Sequence, residues 1–144
     1  MTAKMTIDEV LSFLGSTPPR TGVLATTRAD GTAHAVPVWY VPDDDGSVVF
    51  TTGAGSVKGR NLRRTGRAAF CVEDPQPPFS FVTLEGPVDL SEDLDELVRW
   101  AHRLGARYMG EERGAEFAAR NGVPGELLVR LTPLNVVGLR DLAD

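Results

Sequence analysis

A turn with the residues needed to hold an anion lies between Thr51 and Asn61. Its sequence, Thr-Thr-Gly-Ala-Gly-Ser-Val-Lys-Gly-Arg-Asn, is typical of a strand end, a glycine-rich turn and the start of a helix. Ser56 is expected to cap that helix, because its hydroxyl can accept a hydrogen bond from a first-turn amide. The remaining free amides and the helix dipole favour an anion, and Lys58 adds a full positive charge. The spacing therefore predicts a phosphate site.

The charge of this segment contrasts with that of the whole chain, which has a formal net charge of −5. Five basic residues follow the turn with no acidic residue among them: Lys58, Arg60, Arg63, Arg64 and Arg67. One interpretation is a solvated helix face that pairs with the acidic stretch 92–96. The preceding glycines favour the anion site instead, because Gly53 and Gly55 let the backbone approach a ligand closely.

Few other residues are arranged for catalysis. The two histidines, His34 and His102, are too scattered to predict a metal site. The single cysteine, Cys71, excludes an internal disulfide and a multi-cysteine metal site. Ser80 lacks a Gly-x-Ser-x-Gly context, so hydrolase chemistry has no support.

Length and composition predict a single domain over residues 1–144. The hydrophobic content of 42% and charged content of 24% are those of an ordinary globular protein. No apolar run approaches the roughly 20 residues of a membrane span, and the N-terminal residues contain no signal core. We therefore expect a cytoplasmic protein that does not act at a membrane. The net negative charge also weighs against nucleic acid as a partner.

Hydrophobic periodicity predicts a mainly β protein with helices, of the α+β class. A capping box at residues 6–9 begins a short helix that Gly15 ends. Six strands are expected, mostly linked by hairpins, which favours a small antiparallel barrel. They cover residues 22–28, 33–41, 47–52, 68–73, 79–90 and 127–139, the last broken at Pro133. Helices are expected over 91–109, capped by Ser91, and over 111–120, in addition to the basic helix after Ser56.

This order of elements resembles the pyridoxamine-phosphate-oxidase-like split-barrel family over roughly residues 7–140. The matching segments are Gly-Val-Leu-Ala-Thr-Thr-Arg-Ala-Asp-Gly at 22–31, Ala-Val-Pro-Val-Trp at 35–39, Val-Phe-Thr-Thr at 49–52 and Lys-Gly-Arg-Asn-Leu-Arg-Arg at 58–64. The last two together are fairly specific. The resemblance implies a six-stranded antiparallel split β-barrel of the FMN-binding type, and it is strongest to the branch that uses the deazaflavin coenzyme F420.

The resemblance also assigns roles to individual residues. It implies that Val36, Pro37, Val38 and Trp39 line the cofactor ring, and that Thr51 and Thr52 lie near the ribityl chain and phosphate. It implies that Lys58 is the phosphate-binding lysine, with Arg60 and Asn61 after it on the same turn. Ser56 and Val57, which precede this lysine, are further candidates for cofactor binding. Phe79, Ser80 and Phe81 would reach the cofactor from a second subunit, so a homodimer with two interfacial sites is implied. His34, beside the ring-lining strand, is a candidate proton donor; the alternative is an outward-facing strand residue.

Two departures from the family pattern narrow the choice of cofactor. Pyridoxamine-phosphate oxidases carry Arg-Lys at the phosphate, where this chain has Val57-Lys58, and residues 137–144 lack their basic, histidine-containing motif. Vitamin B6 oxidation is therefore not expected. A single lysine suits the phosphodiester of F420. The cofactor also has an acidic tail, and its carboxylates are able to pair with arginines such as Arg60, Arg63 and Arg64.

The expected function is hydride transfer from reduced F420 to a conjugated small-molecule substrate such as an enone, quinone or tetrapyrrole. The protein would supply orientation and a dry pocket, because the cofactor carries the chemistry. Three alternatives remain at this stage. They are an FMN-dependent reductase or oxidase of the same fold, a non-catalytic flavin or haem carrier, and a nucleic-acid-binding protein that uses its arginine helix.

Overall fold

Nine antiparallel strands and four α-helices make up the chain, and the computed structural model describes every residue from 1 to 144. In chain order they are β1 (Ala3–Lys4), α1 (Ile7–Leu14), β2 (Gly22–Thr27), β3 (Ala33–Val38), β4 (Val41–Pro42), β5 (Val48–Gly53), α2 (Val57–Thr65), β6 (Arg67–Asp74), β7 (Ser80–Ser91), α3 (Leu94–Met109), α4 (Gly114–Asn121), β8 (Glu126–Leu131) and β9 (Asn135–Arg140). A single 3-10 turn, Glu111–Arg113, joins α3 to α4. None of the helices is both long and apolar enough to cross a bilayer.

Strand β7 holds the curled sheet together because it changes partners along its length. The strand order is β3-β2-β6-β7-β8-β5-β4, with β9 also on β7 and β1 on β9. Residues 80–87 of β7 pair with β6, whereas residues 88–91 pair with β8. Gly86 lies at the switch, where a Cβ atom would come within 2.2 Å of the Thr132 carbonyl oxygen. Only glycine allows this approach, and the approach lets one strand belong to both halves of the barrel.

The expected count of six strands was wrong, because two predicted strands each divide and one short strand was missed. The strand expected over 33–41 divides into β3 and β4, since the Tyr40 amide donates to the Tyr108 hydroxyl (3.2 Å) instead of to a neighbouring strand. The region 127–139 divides into β8 and β9 at Pro133, which has no N–H to donate. The missed strand, β1, has two residues and carries no periodic signal.

The predicted helices are confirmed, with changes at their ends. Thr6 and Glu9 form the expected capping box of α1. Helix α3 begins at Leu94 with Asp93 as its N-cap, because β7 extends to Ser91. The Ser91 hydroxyl instead donates to the Glu96 carboxylate (2.7 Å).

Two hydrophobic cores lie on opposite sides of β5. The larger fills the barrel and includes Tyr40, Phe50 and Phe70. The smaller packs α3 against the outer wall and includes Val49 and Trp100. Because side chains alternate along a strand, β5 contributes to both cores and is buried on both faces. Any cavity beside the outward residues of β5 therefore lies under α3 and α4 and not inside the barrel.

Glycines let α3 and α4 pack tightly against each other. A Cβ atom on Gly105 would lie 2.5 Å from the Phe117 Cβ atom, and one on Gly114 would lie 2.6 Å from the His102 ring. Neither distance is tolerated, so both positions require glycine for this helix pair to close. The pair then forms a fixed roof over the outer wall of the barrel.

Gly105→Ala is expected to lower the free energy of unfolding by about 1–3 kcal/mol, because the added methyl group overpacks the helix contact. The effect should appear although alanine is the better helix former by about 1 kcal/mol. Urea unfolding measures the change. Gly55→Ala is the control, since a Cβ there meets nothing within 4 Å. Equal stability of the two variants would contradict the tight packing.

Candidate functional site

The turn between β5 and α2 has the capped helix end that the sequence predicts. Ser56 is the N-cap of α2: its hydroxyl accepts from the Gly59 amide (3.0 Å) and donates to the Gly53 carbonyl (2.7 Å). The amides of Val57 and Lys58 donate to no acceptor in the protein. Two first-turn N–H groups are therefore free to bind an anion.

Lys58 lies beside this helix end without a counter-ion in direct contact. Its side chain is half-buried, and no carboxylate oxygen lies within 4.0 Å of its amine. The residues around it on the helix, Asn61 and Leu62, are buried, so Lys58 is on the inner side of α2. It lines a cavity of about 220 Å³ between the barrel wall and the α3–α4 roof.

This cavity combines an apolar wall with a few polar groups. Its lining residues are Val38, Trp39, Thr51, Lys58, Ala101, Leu104, Gly105, Phe117 and Asn121. A mostly apolar pocket with a small number of polar groups is the usual form of a ligand site. Its volume is below the roughly 300–1,000 Å³ of complete small-molecule pockets, so it accommodates one part of a larger ligand.

Two aromatic rings, Trp39 and Phe117, line the cavity, and a third, Tyr108, stacks on Trp39. Trp39 stacks on Tyr108 with centroids 5.0 Å apart and planes 4° apart, and Phe117 lies tilted at 5.4 Å. The Tyr108 hydroxyl donates to the Arg20 carbonyl (2.7 Å) and accepts from the Tyr40 amide (3.2 Å). Tyr108 therefore ties α3 to the end of β3 and fixes the ring of Trp39.

The predicted residues of β3 do not all face the same way. Val38 and Trp39 line the cavity, whereas Pro37 is exposed on the opposite face of the strand. Val36 and His34 are half-buried on the same face as Val38, outside the cavity. The Nδ1 atom of His34 is buried and has no hydrogen-bond partner. The outward-facing alternative for His34 is wrong, and its role as a proton donor stays a prediction.

The predicted polar residues fall into two groups. Thr51 and Lys58 face the cavity, whereas Thr52 is buried with its hydroxyl 3.2 Å from that of Ser56. Asn61 is also buried, and its amide donates to the Thr26 hydroxyl (3.0 Å). The side chains of Thr52, Ser56 and Asn61 are thus engaged inside the protein, where they hold the turn and α2 in place.

The remaining basic residues of α2 point away from the cavity. Arg60 follows Lys58 by two positions, about 200° around the helix, and is exposed, as is Val57. Arg63 pairs with Glu92 at 3.0 Å, so the solvated-face interpretation holds for this residue. Arg64 donates to Thr27 and Asn61 of the protein itself. Of these arginines, Arg60 is the one left without a protein partner.

Phe79, Ser80 and Phe81 lie apart from the cavity. Phe79 has a φ of 68° and is 40% exposed in the loop before β7. Ser80 lines a separate polar groove with Arg20 and Arg140. Phe81 is half-buried on the outer face of the sheet. Within one chain, these residues do not contribute to the site.

One acidic residue stands close to the helix end. Glu126 begins β8 directly opposite Gly53, and burial raises the pKa of its carboxyl while Lys58 opposes the rise.

Burial also raises the pKa of Tyr40 to about 12, so this hydroxyl stays neutral at physiological pH. No three His, Cys, Asp or Glu side chains come together in a way that would hold a metal ion.

The roof residues of the cavity were not predicted from the sequence. The structure places Tyr108 against Trp39, and Phe117 and Asn121 of α4 complete the cavity. No local signal connects residues 39, 108 and 117; the glycines at 105 and 114 are the one hint of a close helix crossing.

The curled antiparallel half-barrel with its four helices is the fold of the split-barrel class. The chain belongs to the pyridoxamine 5'-phosphate oxidase family, whose model matches residues 7–139. No curated protein matches the chain.

Several solved structures share the fold. The conserved hypothetical protein Rv2991 from Mycobacterium tuberculosis is 29% identical, with a TM-score of 0.83 over 97% of this chain and 89% of that one. An F420 reductase is 24% identical, with a TM-score of 0.68 over 87% and 94% of the two chains. A FAD-binding protein from Mesorhizobium loti is 18% identical, with a TM-score of 0.67 over 96% of each chain.

Tyr108→Phe is expected to lower the free energy of unfolding by about 1–3 kcal/mol, because it leaves the Tyr40 amide and the Arg20 carbonyl without their partner. Urea unfolding, followed by tryptophan fluorescence, measures the loss. Leu94→Ala, at an exposed position of the same helix, should change stability by no more than about 0.5 kcal/mol. Unchanged stability of the Tyr108 variant would show that its hydroxyl does not tie α3 to the barrel.

Proposed function

We propose that this protein is an oxidoreductase that uses reduced coenzyme F420 and delivers hydride to a conjugated small-molecule substrate. The observation that carries the proposal is the end of α2. There, the amides of Val57 and Lys58 are free, and the Lys58 side chain, which has no ion-pair partner, lines a mostly apolar cavity. Membership of a family of flavin and deazaflavin oxidoreductases supports the reaction class.

The residues present fit a phosphorylated, ring-containing cofactor. Lys58 and the two amides would hold the phosphoryl group, and Thr51 lies on the path from there to the apolar wall. Val38 and Trp39 offer flat apolar surface to a ring and exclude water from it. When bound, reduced deazaflavin supplies the hydride, so the chain needs no nucleophile or metal of its own.

The choice of F420 rests on charge and not on the shared fold. The fold is common to an F420 reductase and to a FAD-binding protein, both below 25% identity to this chain. Lys58 is the one basic side chain of the cavity, which suits a phosphodiester with a single negative charge. Exposed Arg60, on the outer side of α2, is free to meet a carboxylate of the acidic tail.

An FMN-dependent enzyme of the same fold is the second candidate, since the same helix end would also accept a phosphomonoester. A carrier that holds a flavin or haem without turnover is the third; a haem-binding protein from Mycobacterium smegmatis shares the fold at 23% identity and a TM-score of 0.68. The absorbance spectrum of the co-purified ligand separates F420 from FMN and haem. Multiple turnovers of an acceptor separate an enzyme from a carrier.

The proposal includes a homodimer, supported by the outer face of the sheet. One row of side chains crosses five strands there: Pro37, Val23, Cys71, Thr83 and Val137. Val23 is 43% and Val137 is 49% exposed, and no helix covers the row. An exposed apolar surface of this kind marks an interaction site.

A second copy is the proposed occupant of this face. Phe79–Phe81 lie outside the cavity of their own chain, and a partner placed across the sheet would let them complete the site of the other subunit. The small volume of the single-chain cavity agrees with a site that needs this completion.

Lys58→Ala is expected to weaken F420 binding by about tenfold to a hundredfold, because it removes one charged phosphate contact of about 1.5–3 kcal/mol. Fluorescence titration of the purified protein measures the affinity. Lys4→Ala is the matched control, since Lys4 is the other lysine of the chain and lies in β1. Equal affinities of the wild type and the Lys58 variant for F420 would contradict the proposed phosphate site.

Val23→Glu is expected to convert a dimer into a monomer, because it places a charge within the apolar row. Light scattering after size-exclusion chromatography measures the mass of both proteins. Glu85→Lys, at the polar margin of the same face, keeps the apolar row and serves as a control for surface charge. A wild-type protein of monomeric mass would contradict the proposed dimer.

A further inference from the structure

Glu126 is an acidic side chain beside a site proposed to bind an anion. It pairs in register with Gly53. Glycine has no Cβ atom, but one built on Gly53 would lie 3.4 Å from the Oε2 atom of Glu126. The carboxylate therefore lies against the turn that presents the free amides. It is half-buried and makes neither a hydrogen bond nor a direct ion pair.

Lys58 is the charged group that faces Glu126. The turn next to Glu126 contains uncharged Gly53 and Ala54, and residues 121–125, which connect α4 to β8, are also uncharged. Within α2, Arg60 points to the opposite side of the helix. The electrostatic balance at the helix end thus depends on one lysine, one carboxylate and the partial positive charge of the helix.

We propose that Glu126 sets the charge selectivity of the anion site. Without this carboxylate, a dianionic phosphomonoester would bind more tightly than a monoanionic phosphodiester, and Glu126 removes that difference in affinity. The proposal rests on the proposed function of the site. Attraction to Lys58 and the helix end grows with ligand charge, so without Glu126 the dianion would bind better. Repulsion by the carboxylate also grows with ligand charge, and it offsets this gain. Glu126 is then the residue that favours F420 over FMN.

The test compares two ligands that differ by one negative charge and one methyl group: FMN and its methyl phosphodiester. Glu126→Gln keeps the size of the side chain and removes its charge. If the diester gains affinity by about fivefold, FMN should gain about the square of that factor, roughly twenty-five-fold, because its charge is doubled. Glu111→Gln, an exposed carboxylate without partners on the far side of the roof, should change neither affinity.

The pH dependence of the wild type is an independent readout that needs no variant. Burial raises the pKa of Glu126, so lowering the pH neutralises this carboxylate before ordinary surface glutamates. The diester itself keeps one negative charge throughout the range in which carboxyl groups titrate. Its affinity for the wild type should therefore rise as the pH falls through the raised pKa of Glu126, with uptake of a proton on binding. The Glu126→Gln protein should show a flat profile.

Each outcome decides between the two proposals. Equal changes for FMN and the diester, or a flat profile in the wild type, would overturn the role of Glu126 and leave the cofactor site standing. Failure of the wild type to bind FMN, its diester and F420 would overturn the proposed function, and the role of Glu126 with it.

Discussion

The site depends on the way β5 passes into α2. The Ser56 hydroxyl is used twice within the turn, once toward Gly53 and once toward Gly59, and this fixes the helix end with the Val57 and Lys58 amides unpaired. An unpaired amide costs free energy unless water or a ligand satisfies it. Asn61 fixes the middle of the same helix through its hydrogen bond to Thr26. The free donors are thus a consequence of tight local bonding.

The larger architecture explains why this helix end lies beside a cavity that Lys58 lines. Because β5 is covered on both faces, its outward residues need a second layer, which α3 provides through Leu97 and Trp100. Close packing of α4 on α3 at Gly105 raises Phe117 over the wall and leaves space above Thr51 and Lys58. Stacking of Tyr108 on Trp39 closes one side of this space. The cavity therefore arises beside the smaller core, under α3 and α4, where the packed side chains do not fill the volume completely.

Local chemistry was predictable from the sequence, and long-range contacts were not. The cap at Ser56 and the capping box at Thr6 each depend on a few adjacent residues, and each is present. The division of residues 33–41 into two strands depends on Tyr108, which is 68 residues from Tyr40, so no local pattern could reveal it. The engagement of Asn61 by Thr26, across 35 residues, escaped prediction for the same reason.

The central claim is that the end of α2 holds the phosphoryl group of a deazaflavin cofactor. The most direct measurement compares the affinity of the wild-type protein for F420 and for the deazaflavin riboside that lacks the phosphate and the acidic tail. The account predicts that the riboside binds at least about tenfold more weakly, because it leaves Lys58 and the two amides without an anion. Equal affinity for the two compounds would contradict it.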